Sequence, residues 1–191
     1  QKAKGERGAP LTVNVPYGYV KDPENPKHWL VDPEAAAIVK RIFSMCMEGR
    51  GPTQIANQLW ADKVLTPTAY KLSHGRSTNA PAPEDPYRWD KRAVSLILER
   101  REYTGCTVNF KTYTNSIWDK KRHLNPVENQ AIFLDTHERI IDDDVFEKVQ
   151  EIRNQRHRMT RTGKSSIFSG MVYCADCGSK MQYGSCLLYT S

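Results

Sequence analysis

Apolar side chains recur with helical spacing in the stretch that follows Asp32. Asp32 is a favourable N-cap residue, and Pro33 suits the first position of a helix. Gly49 and Gly51 end the pattern. We therefore predict a half-buried helix whose inward stripe consists of Ala35, Ile38, Val39, Ile42, Phe43, Cys46 and Met47.

A second helix is predicted to start at Pro52 and Thr53, with Ile55, Ala56, Leu59 and Trp60 facing inward. The stretch from Asp32 to about Lys63 then forms an αα-hairpin closed by a glycine turn. Roughly residues 65–88 follow, and their many Pro, Ser, Thr and Asn residues predict a long irregular loop. A loop of that length usually carries a function or is disordered.

A third helix is predicted to begin near Trp89 and Asp90 and to end before Gly105. Its apolar side consists of Ala93, Val94, Ile97 and Leu98, whereas Leu96 is expected to be exposed. Residues 106–118 and the stretch "AIFLDTHERII" favour strands, and "VPYGYV" at 15–20 favours a short strand or turn. Asp142 is expected to cap a last helix that runs into a basic stretch, with an apolar side of Val145, Phe146, Val149 and Ile152. The predicted fold class is α+β, mainly α.

Charge is unevenly distributed along the 191 residues, whose formal net charge is +6. Residues 88–101 and 110–123 are each rich in Lys and Arg, and residues 152–175 contain five basic residues and no acid. One such segment can simply be a solvated surface, but three separated segments favour a nucleic-acid partner. No apolar run is long enough for a membrane helix, so no membrane partner is expected.

Five cysteines at irregular spacing favour a reducing, cytoplasmic compartment. In "VYCADCGSKM", Cys174 and Cys177 have the C-x2-C-G form of a zinc knuckle. A thioredoxin-like pair has the same spacing but normally lies between a strand and a helix, and a purely structural pair is the remaining alternative. Because a tetrahedral zinc site needs four ligands, two cysteines alone predict weak zinc binding in this stretch.

Catalytic groups are not recognisable in the sequence. No phosphate-binding glycine motif or HExxH motif is present, and the five histidines are scattered singly, as expected of surface residues. Asp142, Asp143 and Asp144 precede an apolar helix, so helix capping explains them better than a metal cluster.

The second and third predicted helices are similar to a helix-turn-helix. "GPTQIANQLW" resembles its first helix, with Thr53 and Gln54 at the start, and "WDKRAVSLILER" resembles the helix that enters the major groove. The exposed start of that helix would present side chains to base edges and phosphates. Three amphipathic helices also occur in many domains that do not bind DNA. The candidate DNA contacts here are Arg88, Lys91, Arg92 and Ser95.

In their order, these segments resemble the middle and C-terminal parts of large serine recombinases, the transposon and phage integrase type. The likeness covers roughly residues 8–185 and is closest to transposon-borne members. It is carried by "PYGY", "DPEAAAIVKRIF", "GRGPTQIANQLWADKVLTP", "VSLILERREYTG", "HERIIDDDVFEKVQEI" and "FSGMVYCADCGSKM".

The resemblance implies four regions. Residues 1–10 would be a linker arm from a missing catalytic domain, with Lys2, Lys4 and Arg7 along the minor groove, and residues 11–152 the recombinase DNA-binding domain. Residues 153–166 would be a basic linker that follows the DNA backbone, and residues 167–191 the first half of a truncated zinc ribbon. The ending "CLLYTS" departs from the family pattern, which makes Cys186 doubtful as a ligand. The linker contacts would be Arg153, Arg156, Arg158, Arg161 and Lys164.

In that family, a resolvase-type N-terminal domain carries the serine that cuts DNA and forms a 5′-phosphoserine link. The resemblance therefore implies double-stranded attachment-site DNA as partner, a dimer on each site, a tetramer in synapsis, and zinc in the full-length protein. The main alternative is a non-catalytic DNA-binding regulator with a zinc knuckle, which would lack the resolvase-type domain. A third is a zinc-dependent or redox enzyme, which metal analysis and a thiol-exchange assay would identify.

Overall fold

The computed structural model describes residues 11, 15–25, 27–78, 80–114, 118, 121–155 and 172–178. The chain divides into two compact units, residues 1–150 and 151–191. Within the described ranges, five α-helices accompany small antiparallel strands, which confirms a mixed, mainly helical fold. No helix in these ranges is long and apolar enough to cross a membrane.

The strands form three two-stranded antiparallel pairs: β1 (Tyr19–Lys21) with β2 (Trp29–Val31), β3 (Thr107–Asn109) with β6 (Ala131–Phe133), and β4 (Thr112–Tyr113) with β5 (His123–Leu124). In their registers, Tyr19 lies opposite Val31, Val108 opposite Ile132, and Tyr113 opposite His123. Short 3₁₀ segments span Arg101–Thr104 and Val127–Asn129. The elements are β1 (Tyr19–Lys21), β2 (Trp29–Val31), α1 (Pro33–Met47), α2 (Pro52–Ala61), α3 (Pro67–Ser73), α4 (Lys91–Glu99), β3 (Thr107–Asn109), β4 (Thr112–Tyr113), β5 (His123–Leu124), β6 (Ala131–Phe133) and α5 (Asp143–Gln155).

Helices α1, α2 and α4 pack against one another around a common core, which confirms the predicted hairpin and the third helix. The predicted apolar stripes supply the side chains, and each large aliphatic side chain that is fully buried contributes about 1.5–3 kcal/mol. Leu96 is exposed, as expected. Fully buried members of the core are Val39, Ile42, Phe43, Ile55, Leu59, Val94, Leu98 and Val149.

The turn before β1 is held against this core by a hydrogen bond and by close packing. Tyr103 donates its hydroxyl to the carbonyl oxygen of Tyr17 at 2.7 Å, and both rings are buried. Gly18, which follows Tyr17 in this turn, has a φ of +101°, and a Cβ there would lie 3.0 Å from Ile140 Cδ1. Only glycine combines this backbone conformation with so close an approach.

The predicted loop at 65–88 contains a helix, α3, so its description as irregular throughout was wrong. Thr66 accepts the N–H of Ala69 at 3.3 Å, and Pro67 occupies the first helical position. Tyr70, on the buried side of α3, donates its hydroxyl to Asp32 at 2.9 Å. Asp32 stands at the N-cap position of α1, as predicted, and its carboxylate binds Tyr70 and Arg76.

For two side chains, the prediction of buried or exposed was wrong. Trp60 is 44% exposed rather than inward-facing. His137 is buried rather than at the surface, with its Nε2 2.8 Å from the carbonyl oxygen of Glu102 and its ring against Tyr19 and Trp29. Burial lowers the pKa of His137, and this outweighs the opposing effect of the Glu102 carbonyl.

Candidate nucleic-acid interface

The start of α4 is held with its basic side chains outward. Asp90 caps the helix by accepting the backbone N–H of Arg92 at 2.8 Å, so the helix starts where the sequence predicted. Val94 is buried one turn later and anchors the apolar side. Lys91 and Arg92 are therefore exposed, and Ser95, one turn further on, is half-buried.

The segment that precedes α4 is tied to the end of α2. Asp85 accepts the indole N–H of Trp60 at 2.9 Å and the backbone N–H of Tyr87 at 2.9 Å. The hydrogen bond from Tyr87 is the main reason that the pKa of Asp85 lies below its usual value. Trp89 donates its own indole N–H to the carbonyl oxygen of Val64 at 3.0 Å. These bonds fix where Arg88 and the start of α4 lie relative to α2.

A groove of about 470 Å³ lies between the two helices. It brings together Thr53 with Arg88 and Lys91, residues that the sequence singled out on two separate segments. Its full lining is Thr53, Ala56, Asn57, Trp60, Arg88, Trp89, Asp90 and Lys91.

Gln54 has a structural role that the sequence did not reveal. Its side-chain oxygen accepts the backbone N–H of Gly51 at 2.8 Å and so closes the first turn of α2. It is exposed but does not line the groove. Its use as a DNA contact stays a prediction.

The cations beside the groove differ from Arg41 and Arg76, two arginines that are paired with acids. Arg41 pairs with Asp62, and Arg76 pairs with Asp32 at 3.1 Å. Among the residues that the structure describes, Arg88, Lys91 and Arg92 form no ion pair within 4.0 Å. This leaves an exposed positive surface at the start of α4, which can attract an anionic partner.

The remaining predicted DNA contacts belong to the second unit or lie outside the described residues. Arg153 is half-buried in the last turn of α5 and belongs to the second unit. The arm and most of the basic linker lie outside the described residues, namely Lys2, Lys4, Arg7, Arg156, Arg158, Arg161 and Lys164.

Cys174 and Cys177 lie in a tight turn. The backbone N–H of Gly178 donates to the carbonyl oxygen of Cys174 at 2.9 Å, and Gly178 has a φ of +65°. This turn suits the predicted C-x2-C-G knuckle, because two thiolates on one turn can supply half of a tetrahedral zinc site. The described part of the chain contains no cluster of three or more His, Cys, Asp or Glu residues that could complete it.

The family model described as Recombinase matches residues 33–156, which contain α1 to α4, the groove and all of α5. The chain belongs to the Recombinase family. This match confirms the resemblance to large serine recombinases that the order of the sequence segments indicated.

One relative of this Recombinase chain is "Uncharacterized protein YefB" of Bacillus subtilis (strain 168), with 32% identity over 96 residues. The match covers 50% of the present chain and 32% of YefB, so the chain spans about a third of that relative.

Two solved structures share the fold of this Recombinase chain, each at 19% identity. One is described as "Crystal Structure of a LSR-DNA Complex" and has a TM-score of 0.51, with 93% of this chain and 46% of that chain covered. The other is described as "Sequence Requirements of the Listeria innocua prophage attP site" and has a TM-score of 0.50, with coverages of 94% and 61%.

Proposed function

We propose that this chain is the DNA-binding portion of a site-specific serine recombinase that integrates, excises or transposes mobile DNA. The carrying observation is the set of cations at the start of α4 that form no ion pair within 4.0 Å with any described residue and that lie beside the groove between α4 and α2. The shared fold with a structure described as an LSR–DNA complex supports the same reading.

On this proposal, the start of α4 has two tasks. Together with the other basic clusters of the chain, it contacts phosphates and supplies affinity that falls steeply with salt, because neutralised phosphates release counterions. The turn from Arg88 to Ser95, including Lys91 and Arg92, also approaches base edges in the major groove and supplies sequence preference. The interhelix bonds of Asp85 and Trp89 keep these side chains in one arrangement, which lowers the cost of ordering them on binding.

Flanking regions extend the contact. Lys2, Lys4 and Arg7 follow the minor groove, and residues 153–166 follow the DNA backbone towards the zinc ribbon. Cys174 and Cys177 are two ligands of a structural zinc, which would cross-link the ribbon. In the full-length protein, which we place in the cytoplasm, a dimer occupies each attachment site and a tetramer forms the synapse.

Strand cleavage belongs to a separate N-terminal domain, whose serine attacks a DNA phosphorus and forms a 5′-phosphoserine bond as the 3′-hydroxyl leaves. The test is to incubate the full-length protein with its attachment-site DNA and to trap the complex with denaturant. We expect a covalent protein–DNA adduct at the 5′ end, which is lost when the nucleophilic serine is replaced by alanine. Site-specific binding with neither adduct nor recombination would contradict the recombinase assignment and favour a regulator.

A further inference from the structure

One side of α2 forms an entire wall of the groove. Thr53, Ala56, Asn57 and Trp60 follow one another at the helical spacing i, i+3, i+4 and i+7, and all four line the groove. The facing wall is the segment from Arg88 to Lys91. The start of α2 therefore faces the same space as the start of α4.

This wall is fixed before any partner binds. Ala56 is buried in the helix packing, and the indole of Trp60 is held by Asp85 although the ring is 44% exposed. Asn57 stands between them on the exposed side of the helix. A polar group at this position is carried by a helix backbone that needs no rearrangement on binding, which favours specific recognition.

Asn57 differs from the other two amide side chains of α2. Gln54 is committed to the N–H of Gly51, and Gln58 donates its amide to Asp62 at 3.1 Å. The side chain of Asn57 makes no hydrogen bond to any other residue in the described part of the chain. Both its donor and its acceptor are therefore available to an occupant of the groove.

The charge of the groove favours a base edge over a phosphate at this point. Arg88 and Lys91 are cationic, but Asp90 places a carboxylate on the same wall. A carboxylate repels a phosphate, whereas a base edge offers donors and acceptors together. An Asn side chain matches adenine, because its oxygen accepts from N6–H and its amide donates to N7.

We propose that Asn57 is a specificity-determining residue that reads an adenine in the major groove through these two bonds. The inference rests on the proposed DNA-binding function and extends the reading surface from α4 to α2. Arg88, on the facing wall, is then placed to contact a neighbouring base pair.

The experiment selects binding sites from a randomised DNA duplex with the full chain and with two alanine variants. Asn57→Ala removes the available amide, and the matched control Gln58→Ala removes a committed amide of the same helix. Both positions are in α2, where alanine is the most favourable residue for the helix, so both variants should fold. Binding of the selected site is then measured with adenine or 7-deazaadenine at each position.

We expect the wild-type chain and Gln58→Ala to select the same site. For Asn57→Ala, the preference for adenine at one position should fall about tenfold. Its preferences at the other positions and the salt dependence of its binding should be unchanged. At that position, 7-deazaadenine should weaken wild-type binding about fivefold and leave Asn57→Ala unaffected, because only N7 has been removed.

An unchanged site for Asn57→Ala, or the loss of a base other than adenine, would overturn the role of Asn57 while DNA binding by the chain still stood. A wild-type chain that selects no sequence or binds no duplex would overturn this inference together with the proposed function.

Discussion

Trp60 and Asp85 join the end of α2 to the segment that leads into α4, through an indole N–H that lies 2.9 Å from a carboxylate oxygen. Asp85 also holds the backbone of Tyr87, so one side chain sets the path of the chain towards Arg88. The position of Arg88 relative to α2, and with it one wall of the groove, depends on this contact.

Replacing Asp85 by alanine should therefore weaken DNA binding even though the change removes a negative charge. The matched variant Glu84→Ala removes the same charge from the same segment, where Glu84 is exposed. We expect Glu84→Ala to bind duplex as well as the wild type or slightly better, and Asp85→Ala to bind severalfold more weakly in an anisotropy titration. If both variants bound with the same affinity, slightly tighter than the wild type, the Trp60 contact would not position α4.

The bond between Tyr70 and Asp32 should contribute measurably to stability. Tyr70→Phe removes the hydroxyl that donates to this buried carboxylate, and we expect a loss of about 2 kcal/mol in the free energy of unfolding. Tyr87→Phe is the control, because it keeps the ring that stacks against the Lys63 ammonium and removes only a hydroxyl. Urea unfolding that shows equal, small losses for both variants would be evidence against the Asp32 bond.

Acid should destabilise the fold through His137. Because burial lowers the pKa of His137 in the folded chain, the unfolded chain takes up the proton first as pH falls below about 6.5. Stability should be greatest above that pH and should decline towards pH 5, and His137→Gln should reduce this decline. If the unfolding free energy of His137→Gln changed with pH as steeply as that of the wild type, another group would be responsible for the acid sensitivity.

The basic linker can be tested through the salt dependence of binding. Replacing Arg156, Arg158 and Arg161 by alanine should reduce the slope of log K against log salt by about 3 on any duplex, because each phosphate contact contributes about 0.9. Lys21, Lys27 and Lys40, which are exposed on other elements, provide a control with the same loss of charge. A slope that the linker variant leaves unchanged would show that the linker does not follow the DNA backbone.

Local signals in the sequence predicted the longer helices well. Asp32 and Pro33 marked the start of α1, and the spacing of Val94, Ile97 and Leu98 identified the buried side of α4. Helix α3 was missed because it spans only Pro67–Ser73, too short for its apolar spacing to stand out. Thr66 followed by Pro67 was the signal that could have revealed it.

Positions that depend on distant partners could not be predicted in this way. Trp60 is held at the surface by Asp85, 25 residues further along, and His137 is held inside by the carbonyl of Glu102, 35 residues earlier. Asn57 was missed because only basic residues and polar residues close to a helix start were taken as DNA contacts. Its helical spacing from Thr53 and Trp60 was visible, but the facing wall comes from a different segment and became apparent only in the fold.

The most direct measurement compares the double variant Lys91→Ala/Arg92→Ala with the charge-matched variant Lys21→Ala/Lys40→Ala on the attachment site and on random duplex. We expect the α4 variant to lose more affinity for the attachment site than for random duplex, because the start of α4 both holds phosphates and positions the base-reading side chains. The control should lose little on either DNA. Equal losses on the two duplexes, or equal losses by the two variants, would contradict sequence reading by the start of α4.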